Sequence, residues 1–295
     1  MALLDPVGPG DEARAVELLA GYDPTGRRTS SFSAMIRRPG RELWCIRGRA
    51  RPRVVALAVQ NPGRVATLYL AAGRASAAER AELMAHVAGL ALAGGAAFVQ
   101  AVADGRHNED AHCLLAAGFE VLSHLVYLCR GLGDDVPPAP AQDWPTVEQV
   151  GEQALGGVIL DTYRDSLDCR RLHGLRSAGD IIASHKASGT YSPRTWFVPH
   201  ADGGPVGCLL INAAAGQDEA CDVVYLGVRP EFRRMGWGGS MLRRGFFEAA
   251  ARGWRQMYLA VDAANEPAVR LYRREGFETA FSRDVYVCVA EAGRL

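Results

Sequence analysis

Residues 228–241 read VRPEFRRMGWGGSM, two adjacent arginines followed by three glycines within four residues. An apolar run, DVVYLGV, precedes them, and a helical pattern follows until Gly253. Glycines let a backbone take conformations barred to other residues. At the start of a helix they leave first-turn N–H groups pointing outward at the positive end of the helix dipole. Such a place holds anions, phosphates above all. Arg233 and Arg234 add charge and forked donors for the same guest. A plain flexible loop with solvated arginines is the competing reading, weakened by the strand before it and the helix after it.

Two nucleotide patterns fail here. The third position of G-x-G-x-x-G is Met241, which excludes the dinucleotide fingerprint. No Gly-Lys-Ser/Thr follows, which excludes a Walker A loop. Downstream, MYLAVD reads as a strand and NEPAVRLYRREG as a helix, with Asn265 as its cap and Pro267 in its first turn. VYVCVA closes the chain as a strand, and upstream RTWFVPH and VGCLLIN flank the turn ADGG as a hairpin.

The same order occurs earlier. ELWCIRG and RVVALAV, then ATLYLAA, AERAELMAHVAGLALAGG, FVQAVAD and NEDAHCLLAAGFE repeat the plan, and both halves reach Gly-Phe-Glu, at Gly118 and Gly276. The stretch GLGDDVPPAPAQDWP, residues 131–145, has linker composition. A repeated mixed α/β unit follows, with domains expected at 1–130 and 146–295.

Composition bounds the rest. Acidic and basic residues balance at 33 each, so no global field argues for nucleic acid or an anionic membrane. Seven cysteines, with no C-x-x-C, mostly sit in apolar runs; buried free thiols in a reducing, cytoplasmic setting are the expectation. The start of the chain has no basic region followed by an apolar core, and no apolar run is long enough to span a bilayer. No metal-ligand spacing is visible.

Arg233-Arg234-Met235-Gly236-Trp237-Gly238 resembles the R-x-x-G-x-G element of the GNAT superfamily of N-acetyltransferases. Leu226-Gly227-Val228-Arg229-Pro230 resembles the superfamily's L-x-V-x-P strand ending, and Asn265 with Tyr272 to Phe277 its N…Y-x-x-x-GF segment. The resemblance implies two tandem GNAT-like α/β domains and acetyl-CoA as co-substrate, held where strands 222–228 and 256–261 splay apart. Its pyrophosphate would rest on residues 234–239, so Arg234, Met235, Gly236, Trp237, Gly238, Gly239 and the neighbouring Ser240 are expected at the coenzyme. Arg233 would shape the turn, and Leu226, Gly227, Val228 and Asn265 would flank the pantetheine arm.

Tyr272 matches the superfamily's general acid, with core packing as the alternative. Asp222 is either the base or a strand-edge acid. Strand alternation puts Asp222, Val224, Leu226 and Val228 on one face and Tyr225 on the other. Acceptor contacts would come from residues 155–190. There Asp161, Asp165 and Asp168 recur at helical spacing, an acidic stripe that either attracts an amine or is a solvated face. His173 and His185 show no ligand spacing and read as structural or solvent-exposed. The first half has lost the loop: at 72–83 Ser76 and Glu79 form a capping box, and Leu114 stands where the tyrosine would be. The arrangement is similar to the mycothiol synthases in architecture alone. An N-acetyltransferase acting on a small-molecule or peptide amine is the expected activity; a non-catalytic acyl-CoA-binding regulatory module is the alternative.

Overall fold

A computed structural model describes residues 3–290 apart from 22, 24, 71, 72, 104–107, 134, 135, 139 and 203. Asp104 at the end of one expected strand, Gly203 of the hairpin turn, Ala72 of the first-half loop and three linker residues therefore lie outside the described residues. The chain forms two compact units, one made of residues up to Ser123 together with those from Arg283 onward, the other of His124–Ser282.

In the first unit, β1 (Leu4–Pro6), β2 (Arg41–Arg47), β3 (Pro52–Asn61) and β4 (Val65–Tyr69) run antiparallel, neighbour to neighbour. β5 (Phe98–Ala103) then lies parallel to β4. The β3 run VVALAV is buried at every position, as expected of a strand covered on both faces. Helices α1 (Glu12–Ala20) and α2 (Arg27–Met35) cover one face, where Val16 and Leu19 meet Val55 and Leu57. α3 (Ala77–Ala93) and α4 (Glu109–Ala116) cover the other, with Leu83, Val87 and Leu114 against Val54 and Val99. β6 (Glu120–Gly131) follows α4.

The second unit repeats the plan. α5 (Val147–Val150), α6 (Glu152–Tyr163) and α7 (Ala178–Lys186) precede β7 (Trp196–Phe197), then β8 (His200–Ala201) and β9 (Gly204–Pro205) pair as a small hairpin. β10 (Gly207–Ala213) pairs antiparallel with β7 and with β11 (Ala220–Val228). α8 (Trp237–Ala251), β12 (Gln256–Asp262), α9 (Glu266–Arg274) and β13 (Glu278–Val289) complete the order. α6 and α7 pack Leu155, Ile159 and Ile181 on one face of the sheet, against Cys208 and Leu210. α8 and α9 bury Leu242, Phe246 and Tyr272 on the other, against Leu209 and Ile211.

The structure and the repeat pattern part company at the last strand of each half. Residues Leu125–Gly131 of β6 pair with β12, so the first half's final strand completes the second unit's sheet. Residues Asp284–Val289 of β13 pair with β5, so the chain's final strand completes the first unit's sheet. Each strand has the apolar pattern its own half requires, and that pattern is equally satisfied by the other sheet. The linker stretch also differs from a free tether. Leu132 and Trp144 are buried in the second unit's core, and the Trp144 indole donates to the Pro140 carbonyl at 3.2 Å. A segment of Pro and Gly composition docks here because its few apolar side chains have a core to enter.

Candidate active site

β11 and β12 run parallel and pair only from Ala220↔Gln256 to Asp222↔Tyr258. Beyond that register the strands part, and a cavity of about 850 Å3 opens between Val223–Val228 and Leu259–Val261. One cause lies in β11. Its register with β10 skips Val224, since Tyr225 pairs with Leu210 while Val223 pairs with Ile211. A bulge of this kind kinks a strand and reverses which way later side chains point. Cys221, Val223, Leu226 and Val228 accordingly share one core, while Val224 and Tyr225 join the other. The single-face alternation expected from Asp222 to Val228 is therefore corrected: Asp222 goes with Val224 and Tyr225, and Leu226 and Val228 lie opposite.

The glycine loop closes one end of the cavity. Arg234 sits at φ 63° and Gly236 caps α8 at φ 86°, both left-handed, and no side chain caps the helix. First-turn amides of α8 are thus left without a side-chain partner, and Gly236, Trp237, Gly238 and Gly239 line the cavity. The three glycines do different work. A Cβ at Gly236 would meet nothing within 4 Å, so that position is set by its φ. A Cβ at Gly238 would lie 2.8 Å from Leu271 Cδ2, and one at Gly239 2.8 Å from Glu275 Oε1. Those two let α8 approach α9.

The two arginines also separate. The Arg233 fork donates to the carbonyls of Val228 (3.0 Å), Thr162 (3.0 Å), Arg164 (2.7 Å) and Asp165 (3.1 Å). It ties the loop to the end of α6, as a shaper of the turn, and its donors are spent there. Arg229 reinforces the tie through Asp161 (3.2 Å) and the Pro205 carbonyl (2.8 Å). Arg234 is exposed, lines the cavity and has no side-chain partner among the described residues. Arg270 and Arg274 of α9 line it as well. Met235 (68% exposed) and Ser240 stand outside the lining.

On the far wall, Asn265 caps α9 by accepting from the Ala268 N–H at 3.4 Å. Tyr272 points from α9 into both the core and the cavity, edge-on to Phe277. Burial, with a smaller contribution from the charge of Asp168, raises its hydroxyl well above the usual tyrosine range. It therefore stays protonated at neutral pH. Asp222 is half-buried beside Tyr258, with burial raising its carboxyl, and is not among the lining residues.

Residues 160–277, which hold all of these features except part of α6, match the family model described as Acetyltransferase (GNAT) family. That stretch of the chain is similar to the GNAT family. Among curated relatives, the mycothiol acetyltransferase of Streptomyces bingchenggensis is 29% identical over 191 residues, 60% of this chain and 58% of that protein. The mycothiol acetyltransferase of Thermobifida fusca is 33% identical over 114 residues, 38% of this chain and 32% of that protein. The chain thus spans little more than half of the first relative and a third of the second. Among solved structures, a GCN5-related N-acetyltransferase from Sphaerobacter thermophilus has a TM-score of 0.64 at 18% identity, covering 97% of this chain and 95% of that one. A tandem GNAT protein from the clavulanic acid biosynthesis pathway has a TM-score of 0.54 at 15% identity over the whole of both chains. At such identities the structural likeness speaks for the tandem GNAT fold.

The first half carries the capping box expected from its sequence. Ser76 and Glu79 form a capping box on α3, and Arg53 pairs with Glu79 in the same place. The Arg53 guanidinium, ahead of the Ser76 contacts, lowers the Glu79 carboxyl to about 2. A carboxylate is thus fixed at the N-terminus of α3.

The acidic stripe is corrected. α6 ends at Tyr163, Asp165 turns left-handed at φ 54°, and only Asp161 lies on the helix. Asp161 is engaged by Arg229, whereas Asp168 enters the cavity wall. His173 and His185 line the same wall. The helical spacing that groups Asp168 with Asp161 and Asp165 does not give its place, because the helix stops at Tyr163 and Asp165 and Cys169 turn left-handed on either side of it. Asp168, Cys169 and Asp262 bring their ligating atoms within 4.8 Å of one another.

Proposed function

We propose that the chain is an acetyl-CoA-dependent N-acetyltransferase that acts on a primary amine of a small molecule or peptide. The observation that carries this is the meeting of the splayed β11 and β12 with the uncapped N-terminus of α8 at Gly236. That arrangement offers unpaired strand groups to an extended arm and helix amides to a pyrophosphate. The residues present fit the coenzyme: Arg234, Arg270 and Arg274 bring cations to its phosphate end.

Transfer requires the amine and the thioester carbon to be held together. Backbone N–H groups at the end of β11 would polarise the carbonyl as charge develops. Tyr272, kept protonated by burial, would give a proton to the departing thiolate. Asp222 lies outside the lining, so a proton it takes from the amine would travel through water. A purely binding role has no use for a protonated phenol buried at the cavity wall.

Acetyl-CoA is expected to raise the melting temperature of the protein. Gly236→Glu should abolish the rise, while Gly236→Ala, which carries the same backbone strain without the carboxylate, should retain it. Tyr272→Phe should slow acetyl transfer while keeping the acetyl-CoA shift. A wild-type protein whose melting temperature ignores acetyl-CoA would remove the coenzyme assignment.

A further inference from the structure

Behind the cavity wall four charges close a ring. Asp161 lies in the last turn of α6 and Arg164 directly after it, while Arg229 and Glu231 lie between β11 and the glycine loop. Arg229 meets Asp161 at 3.2 Å and Glu231 at 2.9 Å. Arg164 meets the same two carboxylates at 3.7 Å and 3.4 Å. Each cation thus faces both acids. None of the four lines the cavity, but their neighbours Thr162, Tyr163 and Asp165 do on one side, and Val228, Phe232 and Arg233 on the other. A bond to its own backbone, and then the charges of Arg229 and Arg164, lower the Glu231 carboxyl. The ring therefore stays ionised at neutral pH.

Arg233 makes the same join through the backbone. It donates to the carbonyls of Thr162, Arg164 and Asp165, at and just past the C-terminus of α6. Carbonyls at a helix end lack intrahelical donors, and a cation is favoured there by the helix dipole. A side chain of the glycine loop thus caps α6. Beyond that cap, residues 164–177 cross to α7 with the 3-10 turn Arg170–Leu172 as their regular structure. Asp165, Leu167, Asp168, Leu172 and His173 of this stretch line the cavity. A stretch with few backbone bonds of its own takes its position from what holds its ends.

We propose that Asp161 and Glu231 are positioning residues: through Arg229 and Arg164 they couple the glycine loop to residues 164–177, so that acetyl-CoA, by fixing the loop, orders that wall of the cavity. The assignment rests on the acetyl-CoA reading and adds to it a line of communication within the site. A pyrophosphate held on residues 234–239 immobilises the loop to which Arg229, Glu231 and Arg233 belong. The same side chains fasten the end of α6, so order given to the loop passes to the stretch beyond. By linkage, a stretch already ordered returns the gain as affinity for the coenzyme. Isolated surface ion pairs contribute little, but these four form a closed network, the arrangement in which such pairs do contribute.

Trypsin reads the coupling directly, because Arg170 and Arg171 are exposed within the stretch. Wild type, Asp161→Asn, Glu231→Gln, the double variant and Asp161→Glu are digested briefly with and without acetyl-CoA, and the cuts are located by mass spectrometry. Acetyl-CoA affinity is measured beside this by calorimetry. In wild type acetyl-CoA should slow cleavage at Arg170 and Arg171 about fivefold or more, the lower end of couplings between sites. Either single variant should lose most of that protection, and the double variant little more, because one break opens the ring. Kd for acetyl-CoA should rise about two- to fivefold in the double variant, and Asp161→Glu should keep the protection. A ring that only stabilises the fold would lower the ligand-free melting temperature and leave the protection by acetyl-CoA intact; that result overturns the proposal. Wild type whose melting temperature rises with acetyl-CoA while cleavage at Arg170 and Arg171 is unchanged overturns it too, and leaves the coenzyme reading standing. Wild type with no melting shift fails the coenzyme reading and the coupling together.

Discussion

Replacing Arg233 asks whether the first arginine of the glycine loop binds a ligand or builds the loop. Its guanidinium makes four hydrogen bonds to carbonyls; those to Val228 and Thr162 are partly buried, and those to Arg164 and Asp165 are exposed. A buried bond contributes about 0.5–1.5 kcal/mol net, and exposed ones little, because water replaces them. Arg233→Ala should therefore cost about 2 kcal/mol in the absence of any ligand. For a unit of this size that corresponds to a fall of about 4–8 °C in melting temperature. Arg233→Lys keeps the charge but replaces a planar fork by a point donor, and should recover about half at most. Arg234 is the internal control. It is exposed, has no side-chain partner and sits at φ 63°, where glycine is at ease. Arg234→Gly should leave the ligand-free melt unchanged or slightly raised, while weakening acetyl-CoA binding and flattening its dependence on salt. The assay is thermal unfolding followed by circular dichroism, with and without acetyl-CoA, at two ionic strengths. A ligand-free Arg233→Ala melt within 1 °C of wild type, on the order of measurement error against the shift expected above, would refute the clamp.

Two other predictions come from packing and charge. A Cβ at Gly227 would lie 2.7 Å from Thr162 Oγ1 and 2.8 Å from the Tyr225 ring, so Gly227→Ala should destabilise by about 1–3 kcal/mol. Adding Thr162→Ala should return part of that in a double-mutant thermal cycle; strict additivity would mean that the clash is not the cause. Glu79 is held near 2 by Arg53 and Ser76 against an unfolded value of 4.5. A depressed carboxyl adds stability above the unfolded value and loses it as pH falls towards the folded one. Glu79→Gln, which can keep the capping box, should therefore melt below wild type at pH 7, with the gap closing between pH 4.5 and 2. A gap that is constant with pH would show that the Glu79 charge contributes nothing.

The cradle was legible in the sequence because a left-handed cap, a strand ending and a capping asparagine each demand particular residue types at fixed offsets. Arg233 and Gly236 could be assigned from that logic, and the loss of the loop in the first half was readable from Ser76 and Glu79. Gly238 and Gly239 were legible as glycines but not as to purpose, since their reason is Leu271 and Glu275, more than thirty residues away in sequence. The bulge at Val224 leaves no local mark: every residue from Cys221 to Tyr225 is a sound strand former or a short polar group. One unpaired residue there puts Leu226 and Val228 on the face opposite Asp222. Asp168 was legible as a candidate acid but not as to its place, since three aspartates at helical spacing continue a pattern beyond the point where the helix itself stops at Tyr163.

The exchanged final strands bear on how the chain is made. Translation delivers the first half's β1 to β5 early, but the strand that closes that sheet lies at residues 284–289. Until those residues are synthesised, β5 presents an open edge, and edges of that kind invite wrong partners. The second unit has the opposite history, since its closing strand, 125–131, exists before β12 does. On the ribosome, the half without the cradle is thus the one that must wait, and the half with it can finish first.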